Sequence, residues 1–168
     1  KNIWIMPAPG DAGSALGAAA LVNKQKLKWR HPYLGYPILQ GINIKNVVKE
    51  LLDNQIVGIA NGKAEFGPRA LGNRTIYANP FKENIQEELN QTIKDREGFR
   101  PFGVIIRKMD LSIYFEHAKN ESPFMNMVYM VKADKKESLK EVMHHDGTCR
   151  VQTVENGDLL LSDDLPLL

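Results

Sequence analysis

The 168-residue chain has a single cysteine, Cys149, and only four scattered histidines. One cysteine cannot form an internal disulfide, and the histidines lack the spacing of a zinc site. No apolar run approaches the roughly 20 residues of a membrane span, and the first residues lack the long apolar core and cleavage site of a secretory signal. These absences favour a cytoplasmic protein.

The chain also has little excess of either charge, because its net charge is only +2. So small an excess does not indicate a polyanion such as nucleic acid as the partner. Apolar residues make up 43% of the chain and charged residues 25%, which is typical of a soluble globular protein. A chain of this length fits one domain with a substantial core.

Helices and strands are predicted to be mixed along the chain. Small residues at 12–22 suit a closely packed helix, and Asn43 or Asn46 is suited to cap a second one. Ile85, Leu89 and Ile93 recur every four residues, which predicts a helix over 82–95. Strands are predicted at 56–60, 74–79, 99–107, 124–132 and 149–154. The pattern indicates an α/β or α+β fold, a sheet with helices on its faces.

Residues 23–41 are basic and aromatic and contain Pro32, Gly35 and Pro37. We interpret them as a connector without regular structure and as a domain boundary. Both ends of the chain look cut, because residues 3–6 resemble a short buried strand and DLPLL at 164–168 the start of another. We therefore expect a fragment of a longer polypeptide.

The segment from Lys63 to Thr75 carries the strongest chemical signal. It places Lys63, Arg69 and Arg74 around a Gly-Pro turn and a second glycine, Gly72. Glycine lets a backbone approach a ligand, and guanidinium groups bind phosphate or carboxylate with a planar fork of donors. This composition predicts a site for a small anion. The alternative is a turn whose arginines pair with the chain's own acids.

Two further segments, 94–102 and 144–152, also combine basic residues with glycine or proline. Such turns commonly converge on one edge of a sheet, so a clustered cationic pocket is expected. His144 and Asp146 are two residues apart and would share one face of a strand. His144 then serves either as a general base or phosphate donor, or as a turn histidine bonded to backbone. Cys149 is expected to be a small buried core residue.

Four stretches together resemble one family. They are EFGPRALGNRT at 65–75, LNQTIKDREGFRPFG at 89–103, SPFM at 122–125 and HHDGTCRVQTV at 144–154. They are similar to the C-terminal part of bacterial O-carbamoyltransferases of the nodulation-protein type, which include enzymes that carbamoylate aminoglycoside and cephem antibiotics. PAPGDAGSALGAAA at 7–20 resembles the end of that family's N-terminal module.

The resemblance implies a two-module enzyme. Residues 1–30 would be the tail end of a sugar-kinase-like N-terminal module and its linker. Residues 31–168 would be a YrdC-like domain, a twisted mixed sheet flanked by helices and truncated at its C-terminus. In the family this second module takes carbamoyl phosphate and ATP, with Mg²⁺, and forms carbamoyl adenylate. The first module holds a divalent metal, expected to be iron, and moves the carbamoyl group to a hydroxyl of the acceptor.

The resemblance also implies roles for individual residues. Binding of carbamoyl phosphate and ATP would fall to Lys63, Arg69, Arg74, Thr75, Arg96, Arg100 and Arg150. His144 and Asp146 would be the catalytic pair beside them. Asp11 matches a metal ligand of the N-terminal module, but it makes a metal site only together with that module.

The chain departs from the family pattern in two ways. It lacks the metal-binding histidines of the N-terminal module, and it ends before the family's Asn-Thr-Ser-Phe-Asn motif. Two other functions stay open, an RNA- or nucleotide-binding YrdC-like module without catalysis and a regulatory docking domain. The near-neutral charge disfavours nucleic acid, and no membrane partner is expected.

Overall fold

The structure, a computed structural model, describes residues 5–38, 41–118 and 121–155. The predicted strand at 3–6 is only partly inside these ranges, and there Ile5 and Met6 belong to no strand. The DLPLL segment lies outside them. No helix among the described residues has both the length and the apolar character needed to cross a lipid bilayer.

The described part of the chain contains four α-helices and seven strands. The helices are α1 (Asp11–Asn23), α2 (Ile44–Leu52), α3 (Ile85–Glu88) and α4 (Leu111–Tyr114). The strands are β1 (Tyr33–Ile38), β2 (Val57–Ala60), β3 (Gly62–Glu65), β4 (Arg74–Tyr77), β5 (Val104–Arg107), β6 (Met127–Met130) and β7 (Thr148–Val154). Short 3₁₀ turns lie at Lys108–Asp110 and Ala133–Lys135.

The strands form three small sheets. β1 pairs antiparallel with β3, and β2 pairs antiparallel with β4. In the third sheet, β7 is central, parallel to β5 on one side and antiparallel to β6 on the other. The mixed α/β class is therefore confirmed, and this third sheet is mixed as expected. The likeness to the YrdC-type fold in particular stays a prediction.

Strand β5 lies between two apolar clusters. Its Val104 and Ile106 belong to the larger core, which also contains Leu111, Phe115, Tyr129, Val131, Leu139, Val142, Cys149 and Val151. Ile105, pointing to the other face, packs against the smaller cluster of Leu51, Ile59 and Tyr77. Successive strand residues face opposite sides of a sheet, so one strand serves both cores. Cys149 is buried in the larger core, as predicted.

The cap of α2 is Asn43, whose side-chain oxygen accepts a hydrogen bond from the backbone N–H of Asn46. Asparagine at this position satisfies one of the N–H groups that the first turn of a helix leaves free. The helix buries Leu51 completely and leaves Leu52 exposed. The sequence pattern had left Asn43 and Asn46 as equal candidates.

The interpretation of residues 23–41 as irregular is wrong, because β1 occupies 33–38. A pair of strands has only edge strands, and an edge strand tolerates Pro37, which lies opposite Lys63. Gly35 is required by close packing, since a Cβ there would lie 2.6 Å from the Ala64 Cβ. The proline and glycine that indicated a loop are thus features of a tightly paired edge strand.

The helix predicted over 82–95 is shorter and irregular. After one α-helical turn, residues Leu89–Ile93 form a π-helical turn, in which the backbone N–H of Lys94 bonds to the carbonyl of Leu89. The wider turn rotates later side chains off the buried face. Ile85 and Leu89 are therefore buried as predicted, whereas Ile93 is 46% exposed.

Candidate functional site

A cavity of about 440 Å³ lies where β4, α3, the segment before β5, and β7 meet. Its apolar wall includes Ile76, Ile85, Leu89, Val104, Ile105, Met125 and Val142. The volume falls within the usual range for small-molecule sites. All three cationic segments identified in the sequence contribute side chains to it.

Five cations and one acid among the described residues line this cavity. The cations are Arg69, Lys94, Arg96, Arg100 and Arg150, and the acid is Glu141. Burial lowers the pKa of the Arg150 guanidinium, and the positive charges of Arg69 and Arg96 lower it further. Arg150 is therefore close enough to Arg69 and to Arg96 for both to repel it. Such a cluster is stabilised by an anion placed between its members.

Among the residues that the structure describes, ion pairing does not neutralise this cluster. Across the described residues, the only cavity cation with a carboxylate within 4.0 Å is Arg100, at 3.9 Å from Glu97, and that pair is exposed. Exposed pairs at such a distance contribute little. The alternative in which the arginines are paired with the chain's own acids is thus not what the structure contains.

The loop that carries Arg69 is held by Glu65 at the end of β3. One carboxylate oxygen, Oε1, accepts hydrogen bonds from the backbone N–H groups of Leu71 and Asn73, at 2.7 and 2.9 Å. Both oxygens also lie within reach of the Arg74 N–H, at 3.2 and 3.1 Å. The Gly72 N–H donates to the Thr75 hydroxyl at 2.8 Å. The turn between β3 and β4 is therefore fixed before any ligand arrives.

The carbonyl of Leu71 ties the same loop to the rest of the fold. It accepts hydrogen bonds from the Tyr33 hydroxyl and from Gln152 Nε2, both at 3.0 Å. Gln152 belongs to the central strand of the third sheet and is almost fully buried. This connection places the loop with Arg69 beside β7, which carries Arg150.

Not every predicted binding residue reaches the cavity. Arg69, Thr75, Arg96, Arg100 and Arg150 line it, whereas Lys63 and Arg74 do not. The Arg74 guanidinium donates to the backbone carbonyls of Tyr36, Asn61, Gly62 and Asn73. It thereby joins the ends of β1, β3 and β4. Lys63 is exposed on β3.

His144 and Asp146 form a turn before β7 and do not line the cavity. The Thr148 hydroxyl connects them, lying 3.0 Å from His144 Nδ1 and donating to Asp146 Oδ1 at 2.7 Å. The hydrogen bonds from the Thr148 hydroxyl and backbone N–H lower the pKa of the Asp146 carboxyl. A catalytic role for this pair stays a prediction, and the geometry accounts for a turn.

Asp11 lies in the first turn of α1 and is exposed. Within the described ranges, no three His, Cys, Asp or Glu side chains are grouped so that they could hold a metal ion. The metal role of Asp11, which requires an additional module, stays a prediction.

Sequence reasoning missed two charged residues that line the cavity, Lys94 and Glu141, and one residue that contacts a lining arginine, Asn90. Lys94 stands inside a segment that was recognised as cationic, so its position in the sequence was a usable signal. Glu141 lies in a stretch without any motif and reaches the cavity only through the fold. The side chain of Asn90 accepts a hydrogen bond from Arg96, and the helical pattern of the sequence does not predict that Asn90 is buried.

Comparisons with known proteins agree with these motifs. The family model for the carbamoyltransferase C-terminus matches residues 48–161. Nodulation protein NolNO of Sinorhizobium fredii (strain NBRC 101917 / NGR234) is 35% identical over 92% of this chain and 27% of its own length. The 3'-hydroxymethylcephem-O-carbamoyltransferase of Amycolatopsis lactamdurans is 30% identical over 93% of this chain and 32% of its own length.

The chain thus spans about a third or less of these curated relatives. The resemblance inferred from the four motifs is confirmed, and the matched segment contains all four of them. The chain belongs to the carbamoyltransferase C-terminal family.

Proposed function

We propose that this chain binds carbamoyl phosphate and ATP and forms carbamoyl adenylate. A further part of a longer protein would then transfer the carbamoyl group to the hydroxyl of an acceptor. The observation that carries the proposal is the group of five cations around one cavity that contains a single carboxylate among its described lining residues. Two phosphate-bearing substrates require such an excess of positive charge.

The cavity suits a ligand with both charged and apolar parts. The cations face an apolar wall formed by α3, β4 and β5. A nucleotide combines phosphates with a flat, largely apolar base, which fits a wall of this kind. Inorganic phosphate alone would leave the apolar wall without a partner.

The two substrates and one water molecule account for every atom of the proposed reaction. Water attacks carbamoyl phosphate and releases carbamate and inorganic phosphate. A carbamate oxygen then forms a bond to the α-phosphorus of ATP, and the bond from that phosphorus to the pyrophosphate oxygen breaks. Negative charge builds on the phosphoryl oxygens in both steps, so arginines fixed before the reaction stabilise the transition states.

Magnesium fits this arrangement as a companion of ATP. Mg²⁺ is usually held by one or two carboxylates together with substrate phosphates, and Glu141 supplies one carboxylate at the cavity. The ion would supply further positive charge to the phosphates. The chain's own arginines would orient the two substrates.

Calorimetric titration with carbamoyl phosphate, with and without a non-hydrolysable ATP analogue and Mg²⁺, tests the proposal. We expect saturable binding of both ligands. Arg69→Ala and Arg150→Ala should each weaken carbamoyl phosphate binding by about tenfold or more, since each removes a charge-assisted contact worth roughly 1.5–3 kcal/mol. Lys63→Ala removes the same charge outside the cavity and is the matched control.

Two outcomes would contradict the proposal. One is unchanged binding in both arginine variants while their melting curves stay cooperative. The other is absence of carbamoyl phosphate binding together with tight RNA binding whose affinity falls steeply with salt. The second result would favour the nucleic-acid-binding alternative.

A further inference from the structure

Asn90 is a fully buried polar residue whose side chain is completely hydrogen-bonded. Its Oδ1 accepts a hydrogen bond from Arg96 Nε at 2.6 Å. Its Nδ2 donates to the carbonyls of Gly98 and Arg100, at 3.0 and 2.9 Å. Burying an amide is unfavourable unless its polar atoms are paired. Here every contact of the amide is with the segment that carries two of the cavity arginines.

The backbone around Asn90 supports the same contacts. Asn90 lies in the π-helical turn, and its own carbonyl accepts a hydrogen bond from the Arg96 N–H at 3.0 Å. A π-helical turn changes the direction of side chains relative to a regular helix and is frequent at functional sites. The turn and the buried amide together fix residue 96 through both its backbone and its side chain.

Arg96 is held on a second side by an aromatic ring. Its guanidinium carbon lies 4.7 Å from the centre of the Phe102 ring. With Nε bonded to Asn90 and one face covered by Phe102, the two terminal nitrogens are the donors left for an anion. A free arginine side chain loses conformational entropy when a ligand orders it. Asn90 and Phe102 bring about part of that ordering before the ligand binds.

We infer that Asn90 is a positioning residue of the cavity, which holds Arg96 for an anionic ligand and fixes the segment that carries Arg100. The identity of that ligand, carbamoyl phosphate, rests on the proposed function. The fixing of Arg96 does not, and it is measurable without any ligand.

The first test is a double-mutant cycle on carbamoyl phosphate affinity. Asn90→Ala should weaken binding by about tenfold in the wild-type background and by less than about twofold in the Arg96→Ala background, because the amide acts through Arg96. Thr92→Ala, in the same π-helical turn, is the control, because among the described residues it removes only a hydroxyl that donates to the Glu88 carbonyl. Equal losses in both backgrounds would overturn the inference, as would an unchanged affinity in a folded Asn90→Ala protein.

Gln86→Ala distinguishes the two kinds of contact that the Asn90 amide makes, one with Arg96 and the other with the carbonyls of Gly98 and Arg100. Gln86 Nε2 also donates to the carbonyls of Gly98 and Arg100, both at 3.3 Å, but in the described part of the chain no hydrogen bond joins its side chain to Arg96. A smaller loss of affinity in Gln86→Ala than in Asn90→Ala is expected. An equal loss would mean that affinity depends only on fixing the segment with Gly98 and Arg100. It would overturn the proposed role of the contact between Asn90 and Arg96.

The second test follows the Arg96 Nε–H signal by ¹⁵N NMR in the ligand-free 168-residue chain. The Arg96 signal, assigned by its loss in Arg96→Lys, should exchange with water at least tenfold more slowly than that of the exposed Arg100. Asn90→Ala should lose this protection, whereas Asn90→Asp keeps the acceptor and should keep it. Equal exchange of Arg96 and Arg100 in the wild-type chain overturns the inference. Slow exchange without carbamoyl phosphate binding would instead reject only the proposed function.

Discussion

Glu65 shows how much of the site depends on a single side chain. Its carboxylate accepts hydrogen bonds from the backbone N–H groups of Leu71, Asn73 and Arg74. Donors from the turn after β3 and from the first residue of β4 converge on this one half-buried anion. The position of Arg69, which the same loop carries, therefore depends on a residue that does not line the cavity.

Replacing this carboxylate should loosen the loop. We expect Glu65→Gln to lower the free energy of unfolding by about 1–3 kcal/mol, since the amide removes the charge and one acceptor oxygen from these bonds. Chemical denaturation measures the change. Glu50→Gln on the exposed side of α2 makes the same substitution without such contacts and should change stability by less than about 0.5 kcal/mol. Equal stability of the two variants would contradict the proposed clamp.

Asp146 allows a prediction about pH. Its folded-state pKa lies below the ordinary value of 3.8, first because of the hydrogen bond from the Thr148 hydroxyl. A lowered pKa stabilises the folded state above the unfolded pKa, and this contribution is lost as the pH falls through the folded value. Thr148→Val should therefore raise the pKa of Asp146 and weaken stability above pH 4 more than below it. A ¹³C NMR titration of the carboxyl checks this, and Thr92→Val should leave the titration unchanged.

At the scale of elements, the sequence patterns predicted those helices and strands that local interactions determine. Helix α1, helix α2 and strands β2, β4 and β7 lie where capping, small residues and alternation placed them. Strand β1 and the π-helical turn were missed. The first pairs with β3, which lies too far along the chain to be seen in a short window of sequence. In the second, the Asn90 side chain bonds to Arg96, Gly98 and Arg100, and these contacts of an amide leave no mark in the spacing of apolar residues.

The pairing of β1 with β3 can be tested at Gly35. A Cβ at this position would lie 2.6 Å from the Ala64 Cβ and 3.1 Å from the Ala64 carbonyl oxygen, so Gly35→Ala should destabilise the chain by about 1–3 kcal/mol. Gly58→Ala in β2 is the matched control, because nothing lies within 4 Å of a Cβ there. Thermal unfolding of the two variants measures the difference. A melting temperature of Gly35→Ala at or above that of Gly58→Ala would contradict the close packing.

At the scale of the whole molecule, the motifs predicted the cationic character of the cavity better than they predicted which residues line it. Arg69, Arg96 and Arg150 are far apart in sequence, yet together with Arg100 they line one cavity. Their charge and turn context made them recognisable one by one. Arg74 has the same context, and only the fold shows that its guanidinium is occupied by backbone carbonyls.

Because like charges are clustered at the cavity, the binding of an anion there should stabilise the folded chain. We expect pyrophosphate at a hundred times its Kd to stabilise the fold by about 2.7 kcal/mol, which for a chain of this size raises Tm by roughly 5–10 °C. Arg150→Ala should reduce this shift by at least half. Scanning calorimetry in a buffer free of phosphate measures it. An equal shift in wild type and Arg150→Ala would mean that the anion acts outside the cavity.

The central place of β7 in its sheet has a consequence for synthesis on the ribosome. β5 and β6 have no strand between them until β7, the last described strand, has emerged and paired with both. At roughly 5–20 residues per second, β5 waits on the order of seconds. During that interval Val104 and Ile106 have no sheet to cover them, so this stretch is where a nascent chain would need a chaperone.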